Sequence, residues 1–194
     1  MGGFDIDNES ESFGRVIWIC GLSGAGKSSV AKRLRAILEQ LGKPCILLDG
    51  DQLREILNVN SFASATTDRD SRLTLALRYS ALCKLLANQG HIVIIATISM
   101  FKEIYSWNKQ NLPGYFQVFL DTPINILQER DSKGIYGRLS RGEIKNVAGL
   151  DLAVDIPADS HLTITYDRSL SIDEVAKKIQ NKLFTEKKFV GVDD

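Results

Sequence analysis

The sequence is short of the residues that mark secreted and metal-bound proteins. It has three cysteines and two histidines among 194 residues, with no CxxC pair. Cys20, Cys45 and Cys83 stand beside apolar residues, where unpaired cysteines are typically buried thiols. His91 and His161 lack a partner at metal-ligand spacing. These shortages argue against a disulfide framework and against a zinc site.

An excess of charge of one sign and a long apolar run are also missing. The 24 basic residues balance the 24 acidic ones, so the broad basic field of a nucleic-acid binder is not expected. No apolar run reaches membrane-spanning length, and residues 1–12 lack the basic-then-apolar order of a signal peptide. We therefore predict a cytoplasmic protein with no nucleic-acid partner and no membrane partner.

What is present fits one α/β domain. The chain is 44% hydrophobic and 25% charged, as in ordinary globular domains. Short β-rich runs alternate with longer segments of helical spacing, which predicts a parallel sheet covered by helices on both faces. The strands are predicted at residues 16–20, 45–48, 91–96, 116–120 and 162–165.

The strongest motif is a phosphate cradle. Residues 21–28 read Gly-Leu-Ser-Gly-Ala-Gly-Lys-Ser between the first strand and the first helix, and they fill the pattern G-x-x-x-x-G-K-[ST]. Lys27 is predicted to reach the β/γ-phosphate oxygens of ATP, and the Ser28 hydroxyl to hold Mg²⁺. The helix beginning there adds its positive dipole end. The predicted nucleotide-binding residues of this loop are Gly21, Ser23, Gly24, Ala25, Gly26, Lys27, Ser28 and Ser29.

Two carboxylates, Asp49 and Asp51, follow the second predicted strand. Because the carboxyl ends of parallel strands open onto one crevice, we expect both near the γ-phosphate. A carboxylate there can orient or deprotonate an acceptor hydroxyl, or hold a metal-bound water. Asp-Gly-Asp is also good N-cap chemistry for a helix from Gln52.

The sequence lacks two motifs of other P-loop proteins. The third predicted strand ends without an acidic residue, which disfavours a motor ATPase, and no Asn-Lys-x-Asp sequence occurs, which disfavours a GTPase.

Further motifs stand in the order of a known family. The P-loop is followed by Leu-Asp-Gly-Asp-x-x-Arg at 48–54, Asp-Thr-Pro at 121–123, Arg-Asp-x-Lys-Gly-Ile-Tyr at 130–136 and Arg-Gly-Glu-Ile-Lys at 141–145. Over about residues 14–184 this series resembles adenylylsulfate kinase. The resemblance implies transfer of the γ-phosphoryl group of ATP to the 3′-hydroxyl of a small nucleotide acceptor, by a homodimer that uses Mg²⁺.

The strand and helix pattern, the polar ends of the chain and the resemblance together predict an architecture, and the resemblance also implies a set of site residues. We expect a P-loop NTPase three-layer fold over residues 14–185, with a five-stranded parallel sheet in the order 2-3-1-4-5, a lid at about 133–146, and flexible tails at 1–13 and 186–194. Ser99 matches a family position described as a phosphoserine, although a helix N-cap explains it as well. The implied catalytic residues are Lys27, Asp51 and Ser99, the ATP-side cations are Arg130 and Lys133, and the acceptor-binding residues are Asp49, Asp51, Arg54, Arg72, Ile98, Lys145 and Val147.

The acceptor side departs from the family pattern. The family stretch Asp-Arg-x-x-Asn-Ile-Arg-Arg reads Ser-Arg-Leu-Thr-Leu-Ala-Leu-Arg here, with Leu75 for the asparagine and Leu77 for an arginine. Lys102 replaces another arginine. Val147 replaces the phenylalanine that packs on the acceptor's adenine, which removes about 1–3 kcal/mol of base stacking by analogy with other aromatic–base stacks.

Several functions remain open from these residues. One is an adenylylsulfate kinase whose acceptor residues have drifted. Another is a 3′-kinase for a cytidine nucleotide such as cytidine diphosphoramidate, whose smaller base suits a valine. A non-catalytic nucleotide-binding domain and a P-loop phosphohydrolase complete the set. The intact Lys27, Ser28 and Asp51 favour catalysis.

Overall fold

A computed structural model describes residues 14–57 and 68–185, and the tails predicted at 1–13 and 186–194 lie outside the described residues. The strands are β1 (Arg15–Cys20), β2 (Cys45–Asp49), β3 (Ile92–Ala96), β4 (Phe116–Asp121) and β5 (Leu162–Thr165). The helices are α1 (Lys27–Gln40), α2 (Gly50–Ile56), α3 (Arg69–Ala87), α4 (Lys102–Asn111), α5 (Ile124–Arg130), α6 (Ile135–Ser140) and α7 (Ile172–Thr185).

The five strands form one parallel sheet in the order β2-β3-β1-β4-β5. This confirms the predicted fold class and strand order. Each predicted strand agrees with the observed one to within one residue at either end. The inner strands β1, β3 and β4 are buried along almost all of their length, and such strands are continuous apolar runs that stand out from the helices between them. The edge strands β2 and β5 are only partly buried, and their short β-rich runs were enough to identify them.

Alternate residues of β1 enter two separate apolar cores. Ile17 and Ile19 pack with α1 and α7, whereas Val16 and Trp18 pack with α3 and α4. All four side chains are fully buried. The central strand therefore holds the loop at its carboxyl end between two rigid layers.

A third, smaller apolar cluster lies in and beside the predicted lid. Val147 and Ile144 pack there with Leu127 of α5 and with Ile135 and Tyr136 of α6. Leu22 and Ala25 of the P-loop pack against the same cluster. The segment at 133–146 thus contains a helix and is attached to the P-loop by apolar contacts.

None of the helices in the described stretches combines the length and the apolar character that a membrane crossing requires.

Candidate active site

The phosphate cradle is formed by the turn between β1 and α1. Gly26 is the N-cap residue of α1 with φ of 90°, a left-handed conformation that glycine adopts without strain. A Cβ atom at Gly21 would lie 2.8 Å from the carbonyl oxygen of Leu120, so the start of the loop packs tightly against β4. Because α1 begins at Lys27, its free amides and its positive dipole end lie at the cradle.

Lys27 is the cation at the centre of this loop. Its Nζ atom donates a hydrogen bond to the carbonyl oxygen of Leu22, 2.7 Å away. Burial, reinforced by the positive charge of Lys133, lowers the pKa of Lys27 to about 7, and the Asp49 carboxylate offsets part of the shift. An anion bound here stabilises the charged ammonium, which is what a phosphate-binding lysine requires.

Asp49 links the P-loop to the second strand. Its Oδ2 atom accepts a hydrogen bond from the Ser28 hydroxyl at 2.5 Å. Its Oδ1 atom accepts one from the backbone N–H of Asp51 at 2.9 Å and so caps α2. The N-cap alternative is therefore correct for Asp49, but the helix begins at Gly50 and not at Gln52. One carboxylate both starts α2 and faces the P-loop serine.

Asp51 carries a carboxylate that two cations share. Arg54, one turn along α2, forms an ion pair with one oxygen, and Lys133 from the segment after α5 pairs with the other. The side chains of Asp51 and Lys133 are 45% and 48% exposed, so water and ligands can reach the pair. Burial and the charge of Arg54 lower the pKa of Lys133.

A cavity of about 460 Å³ joins the P-loop to this ion-pair group. It brings together most of the predicted site residues, including Lys27 of the P-loop, Asp51 of α2 and Lys133 of the predicted lid. The predicted residues that line it are Ser23, Gly24, Gly26, Lys27, Ser28, Ser29, Asp49, Asp51, Arg54, Ile98, Arg130 and Lys133.

Sequence reasoning missed four residues of the cavity wall, which are Gly50, Ala96, Thr97 and Ser132. Ala96 and Thr97 stand at the carboxyl end of β3, and the rule that ligands bind at the carboxyl ends of parallel strands could have found them. Ser132 lies between the two predicted ATP-side cations. Gly50 lies between two predicted carboxylates and packs against Thr97, because a Cβ atom at Gly50 would lie 3.2 Å from the Thr97 hydroxyl oxygen.

Ser99 does not line the cavity. Its side chain is buried, and its hydroxyl lies 2.8 Å from the hydroxyl of Thr97, which does line it. The N-cap explanation is wrong, because α4 begins at Lys102 and its N-cap residue is Phe101. The backbone of Ser99 has φ of 29°, a conformation that non-glycine residues rarely adopt.

Three predicted acceptor-binding residues, Arg72, Lys145 and Val147, also lie outside the cavity wall. A guanidinium nitrogen of Arg72 donates to the carbonyl oxygen of Asn146 at 2.5 Å, so Arg72 connects α3 to the segment after α6. Burial and the nearby charge of Arg54 lower the pKa of Arg72. Lys145 is exposed, whereas Val147 is 2% exposed within the third apolar cluster.

Asp131 and Tyr136 attach α6 to the P-loop. The Asp131 carboxylate accepts hydrogen bonds from the backbone N–H groups of Tyr136 and Gly137, at 3.0 and 2.9 Å. The buried hydroxyl of Tyr136 then donates to the carbonyl oxygen of Ser23 at 2.8 Å. The segment that contains Lys133 is therefore attached to the P-loop through Tyr136, while Lys133 itself pairs with Asp51 of α2.

The sheet order, the P-loop at the end of the central strand and the facing carboxylate define a class of protein, the P-loop kinases, which transfer a phosphoryl group from ATP. Residues 13–165 match the family described as Adenylylsulphate kinase. The chain belongs to this family.

Curated and solved relatives agree with that assignment. The chain is 37% identical over 168 residues to the cytidine diphosphoramidate kinase of Campylobacter jejuni, covering 87% of this chain and 95% of the relative. It is 37% identical over 170 residues to the adenylyl-sulfate kinase of Pseudomonas aeruginosa, covering 84% and 85%. The structure of the Mycobacterium tuberculosis APS kinase CysC in complex with AMPPNP and APS superposes with a TM-score of 0.79 at 35% identity, covering 89% and 98% of the two chains.

Proposed function

We propose that the chain binds Mg·ATP at the P-loop and transfers the γ-phosphoryl group to the 3′-hydroxyl of adenylylsulfate held beside Asp51. The observation that carries this proposal is the single cavity that joins Lys27 and Ser28 to Asp51 and Arg54. In-line transfer needs donor and acceptor groups in one enclosed space, and positioning supplies most of the catalysis.

The donor side suits magnesium. The Ser28 hydroxyl and the Asp49 carboxylate, 2.5 Å apart, are the oxygen groups that Mg²⁺ prefers. Mg²⁺ usually keeps several waters and phosphate oxygens as ligands, so two protein oxygen groups are enough to hold it. When bound, Mg²⁺ neutralises charge on the β- and γ-phosphates.

The acceptor side suits deprotonation of a hydroxyl. As the acceptor oxygen bonds to the γ-phosphorus and the bond to the leaving ADP oxygen breaks, the hydroxyl proton passes to the Asp51 carboxylate. Arg54 and Lys133 hold that carboxylate through ion pairs. Their positive charges suit the anionic groups of the acceptor and of ATP. Lys27 stabilises charge on the transferring group.

We assign Ser99 a positioning role that acts through Thr97. The Ser99 hydroxyl contacts the Thr97 hydroxyl, and Thr97 lines the cavity whereas Ser99 does not.

A second acceptor, cytidine diphosphoramidate, is favoured by the walls of the same cavity. None of the described residues lining it is aromatic, so the described wall offers no ring for a purine to stack on. Val147 is buried among Ile135 and Tyr136, and Leu75 and Leu77 of α3 pack against the apolar core on their side of the sheet. The cytidine diphosphoramidate kinase of Campylobacter jejuni and the adenylyl-sulfate kinase of Pseudomonas aeruginosa are each 37% identical to the chain, so the cavity wall, and not the identity, favours this acceptor.

ADP release from Mg·ATP distinguishes these acceptors. We expect release to depend on an added acceptor and to be fastest with adenylylsulfate, with the Lys27→Ala protein as the inactive control. Turnover with cytidine diphosphoramidate and none with adenylylsulfate would contradict adenylylsulfate as the acceptor and support the cytidine nucleotide instead. Release without any acceptor would instead indicate a phosphohydrolase, and no release with any acceptor a non-catalytic domain.

We also propose that the enzyme is a homodimer, as the family resemblance implies. Support comes from apolar side chains on one side of the sheet, where Leu85 of α3 is 58% exposed and Trp107 of α4 is half-buried. Sedimentation at several protein concentrations tests this, and a monomeric mass at all of them would contradict it.

A further inference from the structure

Arg130 lies where the nucleotide cavity meets the last strand. It ends α5, lines the cavity, and its guanidinium carbon is 4.7 Å from the centre of the Tyr166 ring. Within the two described stretches of the chain no carboxylate pairs with Arg130, so the aromatic ring is the contact that restrains its guanidinium.

Tyr166 is held in place by the sheet itself. It directly follows β5, and its backbone N–H donates to the carbonyl oxygen of Asp121, the last residue of β4, at 2.7 Å. Its side chain is half-buried. The ring is therefore anchored at the carboxyl ends of two neighbouring strands, which is the edge of a parallel sheet where nucleotides bind.

A guanidinium is planar, and it stacks on aromatic rings through cation–π attraction and flat contact. Arg130 contacts the Tyr166 ring and also lines the nucleotide cavity, so a guanidinium held against the ring can present its free face to the flat base of a nucleotide. We propose that Tyr166 is a positioning residue for ATP, which holds the Arg130 guanidinium flat against the adenine base. The inference rests on the proposed nucleotide site, in which Arg130 is already expected on the ATP side, and it adds Tyr166 as the residue that orients this arginine.

The test compares ADP with inorganic tripolyphosphate, a probe that has phosphates and no base, by calorimetric titration. Tyr166→Leu and Tyr166→Met remove the ring, and Tyr166→Phe keeps it. We expect the ringless variants to bind ADP about three- to tenfold more weakly, the size of one cation–π contact. The Phe variant should match the wild type, and tripolyphosphate affinity should not change in any variant.

A double-mutant cycle separates this role from general support of the fold. Arg130→Ala should weaken ADP binding, and adding Tyr166→Leu to it should cause no further loss, because the ring acts through the arginine. Unchanged ADP affinity in both ringless variants, an equal loss of tripolyphosphate affinity, or additive effects in the cycle would each overturn the proposal. Failure of the wild type to bind either probe would instead contradict the nucleotide site itself.

Discussion

The phosphate-binding half and the proposed acceptor half of this site are held by different kinds of contact. In the phosphate half, Lys27 bonds to Leu22 five positions away, within one turn between two buried elements. In the acceptor half, Asp51 pairs with Lys133, 82 positions away. The difference teaches that a motif can encode a phosphate cradle locally, whereas the acceptor side depends on how distant segments pack.

The two halves also differ in what stabilises them. The central strand below the P-loop is fully buried, whereas the Asp51–Lys133 ion pair is nearly half exposed. Exposed ion pairs contribute about 0–1 kcal/mol, so this pair does not hold the lid segment in place. The apolar cluster around Leu127 and Ile135, together with the buried hydrogen bond of Tyr136, does that instead.

The largest expected effect is at the acceptor carboxylate. Asp51→Asn removes the base, and we expect kcat to fall by about 10²–10⁴-fold while ADP affinity stays close to that of the wild type. Steady-state ADP release and calorimetric titration measure the two quantities. Asp159→Asn, an exposed carboxylate outside the cavity, is the matched control and should retain full activity. Equal loss of turnover and of ADP affinity would show that Asp51 is structural.

The phosphate half should respond differently. Lys27→Ala removes the central cation, and we expect the rate to fall by about 10²–10³-fold and ADP binding to weaken as well. Lys32→Ala changes an exposed lysine of the same helix and should leave both unchanged. An unaltered rate in the Lys27 variant would contradict the P-loop assignment.

The lowered pKa of Lys27 predicts proton uptake on nucleotide binding. Burial lowers the pKa of Lys27 to about 7 in the absence of a ligand, and bound phosphates favour the charged form, so we expect this pKa to rise in the complex. Affinity for ADP should therefore fall, by up to about tenfold per pH unit, as pH rises above 7. At pH 8 the binding of ADP should take up most of one proton. Calorimetric titration in buffers of different ionisation enthalpy measures this uptake, because the observed binding enthalpy then depends on the buffer.

Lys27→Arg provides the control for this titration, because the guanidinium stays charged across the range. Its ADP binding should show no proton uptake at pH 8. Uptake of the same size in both proteins would assign the titration to another group.

The smallest expected effect concerns the link between the two halves. Tyr136→Phe removes the hydrogen bond to the Ser23 carbonyl oxygen, and we expect the free energy of unfolding in urea to fall by about 1 kcal/mol. Tyr166→Phe is the comparison, since no hydrogen bond of its hydroxyl is found among the described residues. Equal stabilities in the two variants would mean that the Tyr136 hydroxyl does not stabilise the contact between α6 and the P-loop.

Much of the fold was predictable because it depends on short-range patterns. Strands buried on both faces are apolar runs, and the P-loop motif links a strand to a helix within eight residues. The parallel order then places Asp49 and Asp51 at the crevice beside the loop. The placement of Ser99 and Val147 was not predictable, because the motif match indicates a role in the site and contains no information on burial.

The sequence by itself therefore determined the class of fold, which follows from the alternation of strand and helix patterns along the chain. It also determined the phosphate cradle and the carboxylates facing it, since each of these is encoded within one strand and the turn after it. Only the tertiary structure decided that Lys133 forms an ion pair with Asp51, that Arg72 donates a hydrogen bond to the segment after α6, and that Val147 is packed inside an apolar cluster. These arrangements join residues far apart in the chain, and their geometry depends on side-chain packing that a local pattern does not contain.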